Sequence, residues 1–562
     1  MGAKWINIFE NRRMRTGAAC VAFALILYCA ATSLIFSSET ETKEQSQTAL
    51  ATFVGPGNPD LPAPAGAPLS SSAQSADAPP QAASASFSPA AQDEATQAVA
   101  LPPVASAAGQ EKGEVLPHKD RAGALPFSSS AAHFNLLKMG REGSTLLVIG
   151  GIQGDEPGGF SAAALLASAY RIRKGRVWVV PDLNFPSILQ RHRGIFGDMN
   201  RKFASLDASD PEYDIISRIK GILLDEEVDL ILNLHDGSGF YRPTWEDKLR
   251  NPKRWGQALI IDQEEMTRPP FLLEKTAGRV ETEVNRALMD PGHRYHINNT
   301  LTAQGNEEMA KTLSWFAVRN GKPAFGIEAS KEFGTEYRSY YHLRVIEAFM
   351  DFLGIEFERG FPLDPKGVLG ALNSNILLSA FNDRVILHLD DVRPQLWRVP
   401  FRKNDPCPAI RGSKPLLALV QDKQGWRVAY GNHTLTRINP EFFDFDESLH
   451  KIDLILDGQA HSVRPGEIVQ VREAFRVNVP EGFRVNAIGA QKEVNGSEAG
   501  VLLKRKDFMP RFSVDRNASI YRVEVYKGKA FAGMLLVRFG PSPVLRERPL
   551  TADQGPESDL GF

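Results

Sequence analysis

The chain has 562 residues, of which 43% are hydrophobic and 23% are charged, and its formal net charge at pH 7 is −2. This length allows two to four domains, and the composition is that of an ordinary globular protein. The near-neutral charge argues against a nucleic-acid partner. Of the three cysteines, Cys20 and Cys29 lie in an N-terminal apolar segment. Only Cys407 lies in the rest of the chain, which we call the body. A single cysteine excludes an internal disulfide or a cysteine-based zinc site there.

The N-terminus reads as an export or membrane-anchoring segment. Residues 1–15 carry four basic side chains and are predicted to stay in the cytoplasm. The segment 16–36 has no charged residue after Gly17, and its length suits a helix that crosses a bilayer. A signal peptide cleaved near Ala30-Ala31 is the alternative to an uncleaved anchor. Both interpretations put the body outside the cytoplasm.

Residues 37–115 are rich in Ala, Pro, Ser and Gln and contain two aromatic residues, Phe53 and Phe87. Such a segment cannot bury enough apolar surface to fold, so we predict a flexible tether. A tether is most useful with an anchor at its far end, and for this reason we favour the anchor over the cleaved signal peptide.

Strands and helices alternate over residues 116–355, which predicts one α/β domain with a largely parallel or mixed sheet and helices on both faces. Apolar periodicity and turn residues define the elements. In chain order they are strand Leu146–Ile149, helix Pro157–Arg171, strand Arg176–Val180, helix Pro211–Glu226, strand Val228–Leu234, helices Pro270–Met289 and Gly305–Arg319, strand Pro323–Ile327 and helix Thr335–Leu353.

After Gly354 the pattern changes to short alternating strands separated by Gly, Asn and Asp, and helical signal is nearly absent. This pattern predicts two small all-β domains. We expect a barrel-like domain at 356–440 and an immunoglobulin-like sandwich at 441–541. The remaining residues, 542–562, are expected to form a flexible tail.

Polar side chains stand where three of the predicted strands end. Gln153 and Glu156 follow the first of these strands, His235 follows another, and Glu328 follows a third. In an open α/β sheet such ends converge on one crevice. A catalytic zinc site takes three protein ligands and leaves one position open, and a carboxylate outside that set can move a proton. Each residue also has a plainer interpretation, such as a helix-terminal acid, a core histidine or an ion pair, and Glu332 is an alternative base.

The order of these residues resembles the zinc metallocarboxypeptidase family, similar to carboxypeptidase A. That family has His-x-x-Glu after a strand, then Asn-Arg, a distant His and a late Glu. This chain has Gln-Gly-Asp-Glu (153–156), Gly-Asp-Met-Asn-Arg-Lys-Phe (197–203), His235 and Glu328. It departs from the family pattern at Gln153.

The Gln-x-x-Glu motif, together with the runs Leu-His-Asp-Gly-Ser-Gly-Phe-Tyr-Arg-Pro (234–243) and Asn-Pro-Lys-Arg-Trp-Gly (251–256), resembles one subgroup of that family. These are the periplasmic peptidoglycan D,L-carboxypeptidases that determine helical cell shape in curved Gram-negative bacteria. The resemblance covers roughly residues 115–540. It implies removal of the terminal meso-diaminopimelate from a muropeptide tripeptide, which leaves a dipeptide.

The resemblance also implies roles for individual residues. One Zn²⁺ is bound by Gln153, Glu156 and His235, Glu328 is the base and Arg193 stabilises the oxyanion, Asn200 and Arg201 hold the substrate carboxylate, and Asp236, Arg242 and Trp245 line the pocket. The implied partners are peptidoglycan muropeptides, the inner membrane through the N-terminal segment, and cell-shape proteins through the β domains. The implied location is the periplasm. Because an amide oxygen is a poorer zinc donor than imidazole, we expect weaker zinc binding than in a His-Glu-His site.

Two other functions fit parts of the sequence. A deacylase of the succinylglutamate desuccinylase or aspartoacylase kind shares the expected fold and site, but those enzymes act on cytoplasmic metabolites. A non-catalytic scaffold that binds peptidoglycan through the β domains would have no need of Glu328.

Overall fold

The computed structural model describes residues 134–405 and 408–540, together with the backbone of two short strands at 115–116 and 127–129. The predicted cytoplasmic stretch 1–15, apolar segment 16–36 and tail 542–562 lie outside the described residues, as does the tether up to residue 114. Within the described part of the chain, no helix is both long enough and apolar enough to cross a membrane.

The α/β part of the chain contains most of the helices. Its strands, preceded by β1 (Val115–Leu116) and β2 (Phe127–Ser129), are β3 (Leu137–Gly140), β4 (Thr145–Ile149), β5 (Tyr170–Lys174), β6 (Arg176–Val180), β7 (Leu230–Gly237), β8 (Phe240–Tyr241), β9 (Arg250–Asn251), β10 (Ala258–Ile261), β11 (Met266–Thr267), β12 (Pro270–Phe271), β13 (His296–Asn299), β14 (Ala324–Ser330) and β15 (Glu356–Arg359). The helices are α1 (Pro157–Ala169), α2 (Phe185–Gln190), α3 (Tyr213–Leu223), α4 (Leu273–Arg286), α5 (Leu313–Arg319), α6 (Thr335–Phe352) and α7 (Pro365–Asn373).

Seven of these strands form the central sheet, in the order β13-β10-β14-β7-β4-β6-β3. The pairs β10/β13, β14/β7, β7/β4 and β4/β6 are parallel, whereas β10/β14 and β3/β6 are antiparallel. The sheet is therefore mixed, and the expected α/β fold class is confirmed. Strand β4 is buried at all five positions, as its continuous apolar run predicts.

Two strands extend further than their apolar runs suggest. Strand β7 continues to Gly237 and β14 continues to Ser330, so His235 and Glu328 lie inside strands rather than just beyond them. In the parallel ladder Glu328 is paired directly with His235. Because side chains at paired positions of neighbouring strands point to the same face, the sheet register itself brings these two polar groups side by side.

Two helix predictions were wrong. The single helix expected at Gly305–Arg319 is instead a short 3-10 turn at Met309–Lys311 followed by α5. The side chain of Thr312 accepts a hydrogen bond from Trp315 N and starts a new helix there. Helix α7 lies in the region expected to be almost free of helix. Its N-terminus is capped by Asp364, which accepts from Gly367 N.

The C-terminal part is all-β from residue 377 onwards, apart from two short 3-10 turns, which confirms its expected class. Its strands are β16 (Leu377–Ala380), β17 (Val385–His388), β18 (Gln395–Arg402), β19 (Ile410–Gly412), β20 (Leu417–Asp422), β21 (Gly425–Tyr430), β22 (His433–Phe443), β23 (Ile452–Leu456), β24 (Gln459–Val463), β25 (Ile468–Val471), β26 (Ala474–Asn478), β27 (Phe483–Ala487), β28 (Leu503–Lys504), β29 (Ile520–Lys527) and β30 (Ala530–Phe539). They form four main sheets, ordered β17-β16-β19-β2, β18-β22-β21-β20, β24-β23-β26-β28 and β1-β25-β30-β29-β27.

Three hydrophobic cores accompany these sheets. The first lies in the α/β part, between Phe134 and Leu372, and the third lies between Leu449 and Phe539. The second is formed mainly by residues 376–438, which we call the first β region, and by seven residues between Ile468 and Leu536. It also contains four side chains from α1 and α2, namely Phe160, Ala164, Phe185 and Ile188. The α/β and β parts therefore share a core. The domain boundaries drawn from the sequence, at 355/356 and 440/441, stay predictions.

Candidate active site

Three predicted ligands meet at the carboxyl ends of β4 and β7. The Nδ1 atom of His235 lies 3.1 Å from Oε1 of Gln153 and 3.0 Å from Oε2 of Glu156. All three residues are at most 7% exposed. Gln153 and Glu156 lie in the turn between β4 and α1, and Pro157 begins the helix as the sequence predicts. The structure thus brings an amide oxygen, a carboxylate oxygen and an imidazole nitrogen to one point.

The orientation of the Gln153 amide is set by Asp198. Its Nε2 atom donates to both carboxylate oxygens of Asp198, at 2.8 and 2.9 Å. The amide oxygen is therefore turned the other way, toward His235. Burial would raise the pKa of Asp198, but the hydrogen bond from Gln153 and the positive charge of Arg193 outweigh burial and hold it below its ordinary value. A permanent carboxylate thus selects which end of the glutamine faces the site.

The other ring nitrogen of His235 faces two amides. Its Nε2 atom lies 2.8 Å from Nδ2 of Asn233 and 3.3 Å from Nδ2 of Asn200. The Oδ1 atom of Asn233 is buried and has no hydrogen-bond partner among the described residues. A half-turn of the Asn233 amide would let this orphaned oxygen accept the Nε2 proton, which is the usual arrangement for a histidine that coordinates a metal. Nδ1 would then present a lone pair to the site.

These observations fit a metal ion held by Gln153, Glu156 and His235. A tetrahedral ion with bonds of about 2.1 Å keeps its ligand atoms roughly 3.4 Å apart, close to the separations seen here. Within the described residues, no group of three His, Cys, Asp or Glu side chains is arranged to hold a metal. The glutamine is therefore needed to complete the set of three ligands.

Glu328 lies beside this point without joining it. The register pairs it with His235, and its Oε2 atom is buried without a hydrogen-bond partner in the described part of the chain. Burial, reinforced by the negative charges of Glu156 and Asp236, raises the pKa of Glu328 well above its ordinary value. Such a carboxylate readily accepts a proton.

Two cations contact the second oxygen of Glu156. Arg193 Nη1 lies 3.2 Å and Lys331 Nζ lies 3.4 Å from Oε1, while Oε2 faces His235. Burial tends to lower the pKa of Arg193, but Asp198 and Glu156 raise it above its ordinary value. The Arg193 side chain remains 46% exposed, so this charge reaches both the buried cluster and the solvent.

Asn200 and Arg201 lie next to the cluster, but Asn200 is already engaged. Its Oδ1 atom accepts from Leu313 N at 3.0 Å, and its amide nitrogen faces His235. Arg201 makes an ion pair with Glu308, at 3.5 Å, and the Glu308 side chain is 67% exposed. An exposed pair of this length is weak, so the guanidinium is available to a competing carboxylate.

The side chains of the three predicted pocket-lining residues have their described contacts elsewhere, although Asp236 N donates to Oε2 of Glu156 at 3.1 Å. Asp236 has a fully buried side chain that accepts hydrogen bonds from Gly158 N, Arg338 and His342. A side chain on Gly158 would come within 2.4 Å of the Asp236 carboxylate, so only glycine allows this approach.

The guanidinium of Arg242 donates to the backbone oxygens of Tyr241, Gly292 and Arg294, and so ties two loops together. Trp245 is 63% exposed. A substrate contact for either residue stays a prediction.

Sequence reasoning assigned no role to Asp198, Asn233 or Lys331. Asn233 stands two residues before His235, and the two-residue period of a strand puts both side chains on one face, which was a usable signal. Asp198 begins the run Asp-Met-Asn-Arg (198–201), which contains two of the predicted site residues. No pattern pointed to Lys331.

A mixed α/β sheet with three metal-capable groups, and an unsatisfied carboxylate beside them, defines a metal-dependent hydrolase. Comparisons with known proteins narrow this class. Residues 132–373 match the family model described as the catalytic part of a carboxypeptidase controlling helical cell shape. Residues 445–540 match the C-terminal domain of metallo-carboxypeptidases.

Solved structures agree with the family models. The chain is 39% identical to apo Csd4, a cell shape determinant from Helicobacter pylori, with a TM-score of 0.68; the match covers 72% of this chain and 100% of Csd4. The form of Helicobacter pylori Csd4 bound to mDAP, described as a D,L-carboxypeptidase, is 40% identical with the same coverage and a TM-score of 0.68. Its tripeptide-bound form is 40% identical, covers the same shares and has a TM-score of 0.67. The search of curated protein sequences found no match.

The chain therefore belongs to the family of carboxypeptidases that control helical cell shape. It is a metallocarboxypeptidase, and this membership implies a metal cofactor.

Proposed function

We propose that this protein is a zinc-dependent D,L-carboxypeptidase that removes the terminal meso-diaminopimelate from a peptidoglycan stem tripeptide and leaves a dipeptide. The observation that carries the proposal is that Gln153 and Glu156 each place an oxygen atom within 3.1 Å of Nδ1 of His235, beside Glu328. Support for the substrate comes from the Csd4 structures that contain a tripeptide and mDAP, since this chain spans the whole length of those relatives.

In this proposal Gln153, Glu156 and His235 bind the zinc ion. When bound, zinc polarises a carbonyl group and lowers the pKa of a water molecule to about 7. The set carries one negative charge, from Glu156, and two neutral donors. Arg193 and Lys331 already contact the outer oxygen of Glu156, so the remaining oxygen keeps its position for the metal.

Glu328 is the general base and then the general acid. Its raised pKa, caused by burial and by the nearby charges of Glu156 and Asp236, favours uptake of a proton from the attacking water. As the C–N bond of the peptide breaks, Glu328 returns that proton to the amine of the departing diaminopimelate. The carboxylate is thus regenerated at the end of each turnover.

Three residues act on the substrate. Arg201 binds the terminal carboxylate of the peptide in place of the exposed Glu308, because a planar guanidinium suits two-point recognition of a carboxylate. Asn200 supports this contact from its fixed position beside His235. Arg193 donates to the oxyanion that develops on the scissile carbonyl.

We also infer that the enzyme works in the periplasm. Peptidoglycan is its substrate in this proposal, and the apolar segment 16–36 would hold the body at the outer face of the inner membrane through the tether. Cell-shape proteins are the partners that the β domains would contact.

The decisive experiment incubates the purified protein with zinc and disaccharide tripeptide and follows the products by mass spectrometry, with Glu328→Ala as the control. We expect the wild type alone to release diaminopimelate. If the tripeptide stays intact although zinc binds, the substrate is wrong and acylated amino acids are tested next, as for a deacylase. If zinc does not bind, the non-catalytic scaffold becomes the better interpretation.

A further inference from the structure

Helix α2 is packed on one side against the turn that carries the metal-binding side chains. A Cβ atom added to Gly154 would lie 2.1 Å from the carbonyl carbon of Ser187 and 2.3 Å from Ile188 N. The backbone of the turn therefore lies directly on the backbone of α2, with no side chain between them. Because the two backbones are in contact, we expect a displacement of α2 to displace this turn, which contains Gln153 and Glu156.

Helix α2 also shares a hydrophobic core with the first β region. Phe185 and Ile188 are 0–1% exposed and lie in the same hydrophobic core as Val428 and Tyr430 of strand β21. Strand β21, the turn at Gly431-Asn432 and strand β22 form a hairpin, which we call the β21–β22 hairpin.

Two arginines join α2 to this hairpin by polar contacts. Arg427 Nη2 donates to the carbonyl oxygen of Leu189 at 3.3 Å. In the reverse direction, Arg191 Nε donates to the carbonyl oxygen of Asn432 at 2.6 Å. Both contacts cross between the α/β and β parts of the chain. The Arg191 contact is short and has a charged donor, which makes it a strong hydrogen bond, whereas the Arg427 contact is longer and weaker.

Arg191 also fixes the start of the loop that contains Arg193. Its backbone has a φ of 56° and its N–H donates to Ile188 O, which ends the helix. Beyond it, Ile195 N donates to the hydroxyl of Ser187 at 3.1 Å. The loop therefore leaves α2 at one arginine and returns to the same helix four residues later, with Arg193 between these two points.

We propose that Arg191 and Arg427 are positioning residues through which the first β region holds Arg193 and the metal-binding turn in place. Part of this proposal rests on the proposed function, which assigns Arg193 to the oxyanion. The β21–β22 hairpin then contributes to catalysis by positioning these groups. This role is separate from any contact that the β domains make with other molecules.

The test compares Arg191→Ala and Arg427→Ala with Arg398→Ala in the full-length protein. Arg398 is a matched control because it lies in the same β region, has a side chain that is 76% exposed, and pairs with Glu441. Hydrogen–deuterium exchange of residues 151–156 and 191–197 is the first readout. We expect faster exchange of both segments in the first two variants and unchanged exchange in the control. Unchanged exchange in all three variants overturns the proposal, whether or not the protein is an active carboxypeptidase.

The second readout is turnover of the disaccharide tripeptide. Because Arg193 acts on the transition state, we expect Arg191→Ala to lower kcat by about tenfold or more, with KM within about twofold of wild type. Arg191→Lys keeps the charge and one donor, and it should recover part of the loss. If exchange becomes faster but kcat does not change, the hairpin holds the loop without positioning Arg193, and the proposal fails. A wild type with no turnover refutes the proposed function instead. The exchange measurement still decides whether Arg191 and Arg427 hold the turn and the loop in place.

Discussion

Asp236 and Glu328 are carboxylates on neighbouring strands, and their surroundings are opposite. The Asp236 side chain is fully buried, whereas Glu328 is half-buried with its Oε2 atom enclosed. Asp236 accepts hydrogen bonds from Gly158 N, Arg338 and His342. Burial would raise its pKa, but the hydrogen bond and charge of His342, followed by Arg338, lower it below its ordinary value. Glu328 has an orphaned buried oxygen and a raised pKa.

The difference indicates a structural role for Asp236 and a chemical role for Glu328. Asp236 joins the start of α1, the end of β7 and the first half of α6, and every one of these contacts favours its charged form. The charged form of Glu328 is favoured by Lys331 and Arg193, but burial and the charges of Glu156 and Asp236 outweigh these two cations. A carboxylate kept in this state is typical of a functional site. A carboxylate with a complete set of donors points to stability, whereas an incomplete set points to function.

The largest expected effect concerns Glu328, the carboxylate whose set of hydrogen-bond donors is incomplete. Glu328→Gln keeps the shape of the side chain and removes its basicity, so turnover of the tripeptide should fall by about 10²–10⁴-fold. The free energy of unfolding of the metal-free protein should not decrease, because a charge repelled by Glu156 is lost. Steady-state kinetics and denaturant unfolding measure the two quantities. Turnover within tenfold of wild type would remove Glu328 from the mechanism.

Asp236, whose set of donors is complete, should respond in the opposite way, through a loss of stability. Asp236→Asn leaves Arg338 without its buried counter-charge, and we expect the free energy of unfolding to fall by about 3–5 kcal/mol. The exposed Glu226→Gln is a matched control and should change it by less than about 0.5 kcal/mol. Urea titration at pH 7 gives both values. Similar stability of the two variants would erase the contrast between the two carboxylates.

A smaller effect is expected where a complete set of contacts serves the metal site. Asp198→Ala frees the Gln153 amide to rotate and removes a partner of Arg193, so the zinc dissociation constant should rise by about 10–100-fold. Asp207→Ala, in the loop that follows, should leave it unchanged. A competitive chelator titration measures both. Equal constants would mean that the Gln153 oxygen is oriented by something other than Asp198.

The smallest effect is expected at the glutamine itself. Gln153→His should bind zinc more tightly than wild type, because imidazole is a better zinc donor than an amide oxygen. The same chelator titration applies, and the ligand set keeps its charge in both proteins. A variant that binds zinc no more tightly would contradict the expectation that the glutamine weakens the site.

The sequence predicted the meeting of Gln153, Glu156 and His235 because each follows an apolar run that must be a buried strand, and such strands end at one edge of a sheet. It also predicted the α/β and all-β halves. The convergence of the strand ends and the two fold classes follow from local pattern, whereas the metal-binding roles were implied by the family resemblance. Strand and helix ends were less predictable, as the extension of β7 through His235 shows, since backbone pairing with β14 decides where the strand stops.

The surroundings of the site could not be predicted, because they depend on pairs distant in the chain. The hydrogen bond between Gln153 and Asp198 joins residues 45 positions apart, and the one between Asp236 and His342 joins residues 106 positions apart. No periodicity records such pairs. For the same reason Asp236, beside a predicted ligand, was expected to line the pocket, although its side chain is fully buried in a network of donors.

The shared core has a consequence for how such a protein can be inherited. Phe160, Ala164, Phe185 and Ile188 are at most 1% exposed because side chains of the first β region cover them. A gene rearrangement that ended the chain after Asn373 would leave this apolar surface open to water and prone to aggregation. We therefore expect the hydrolase and its first β region to be inherited together as one genetic unit.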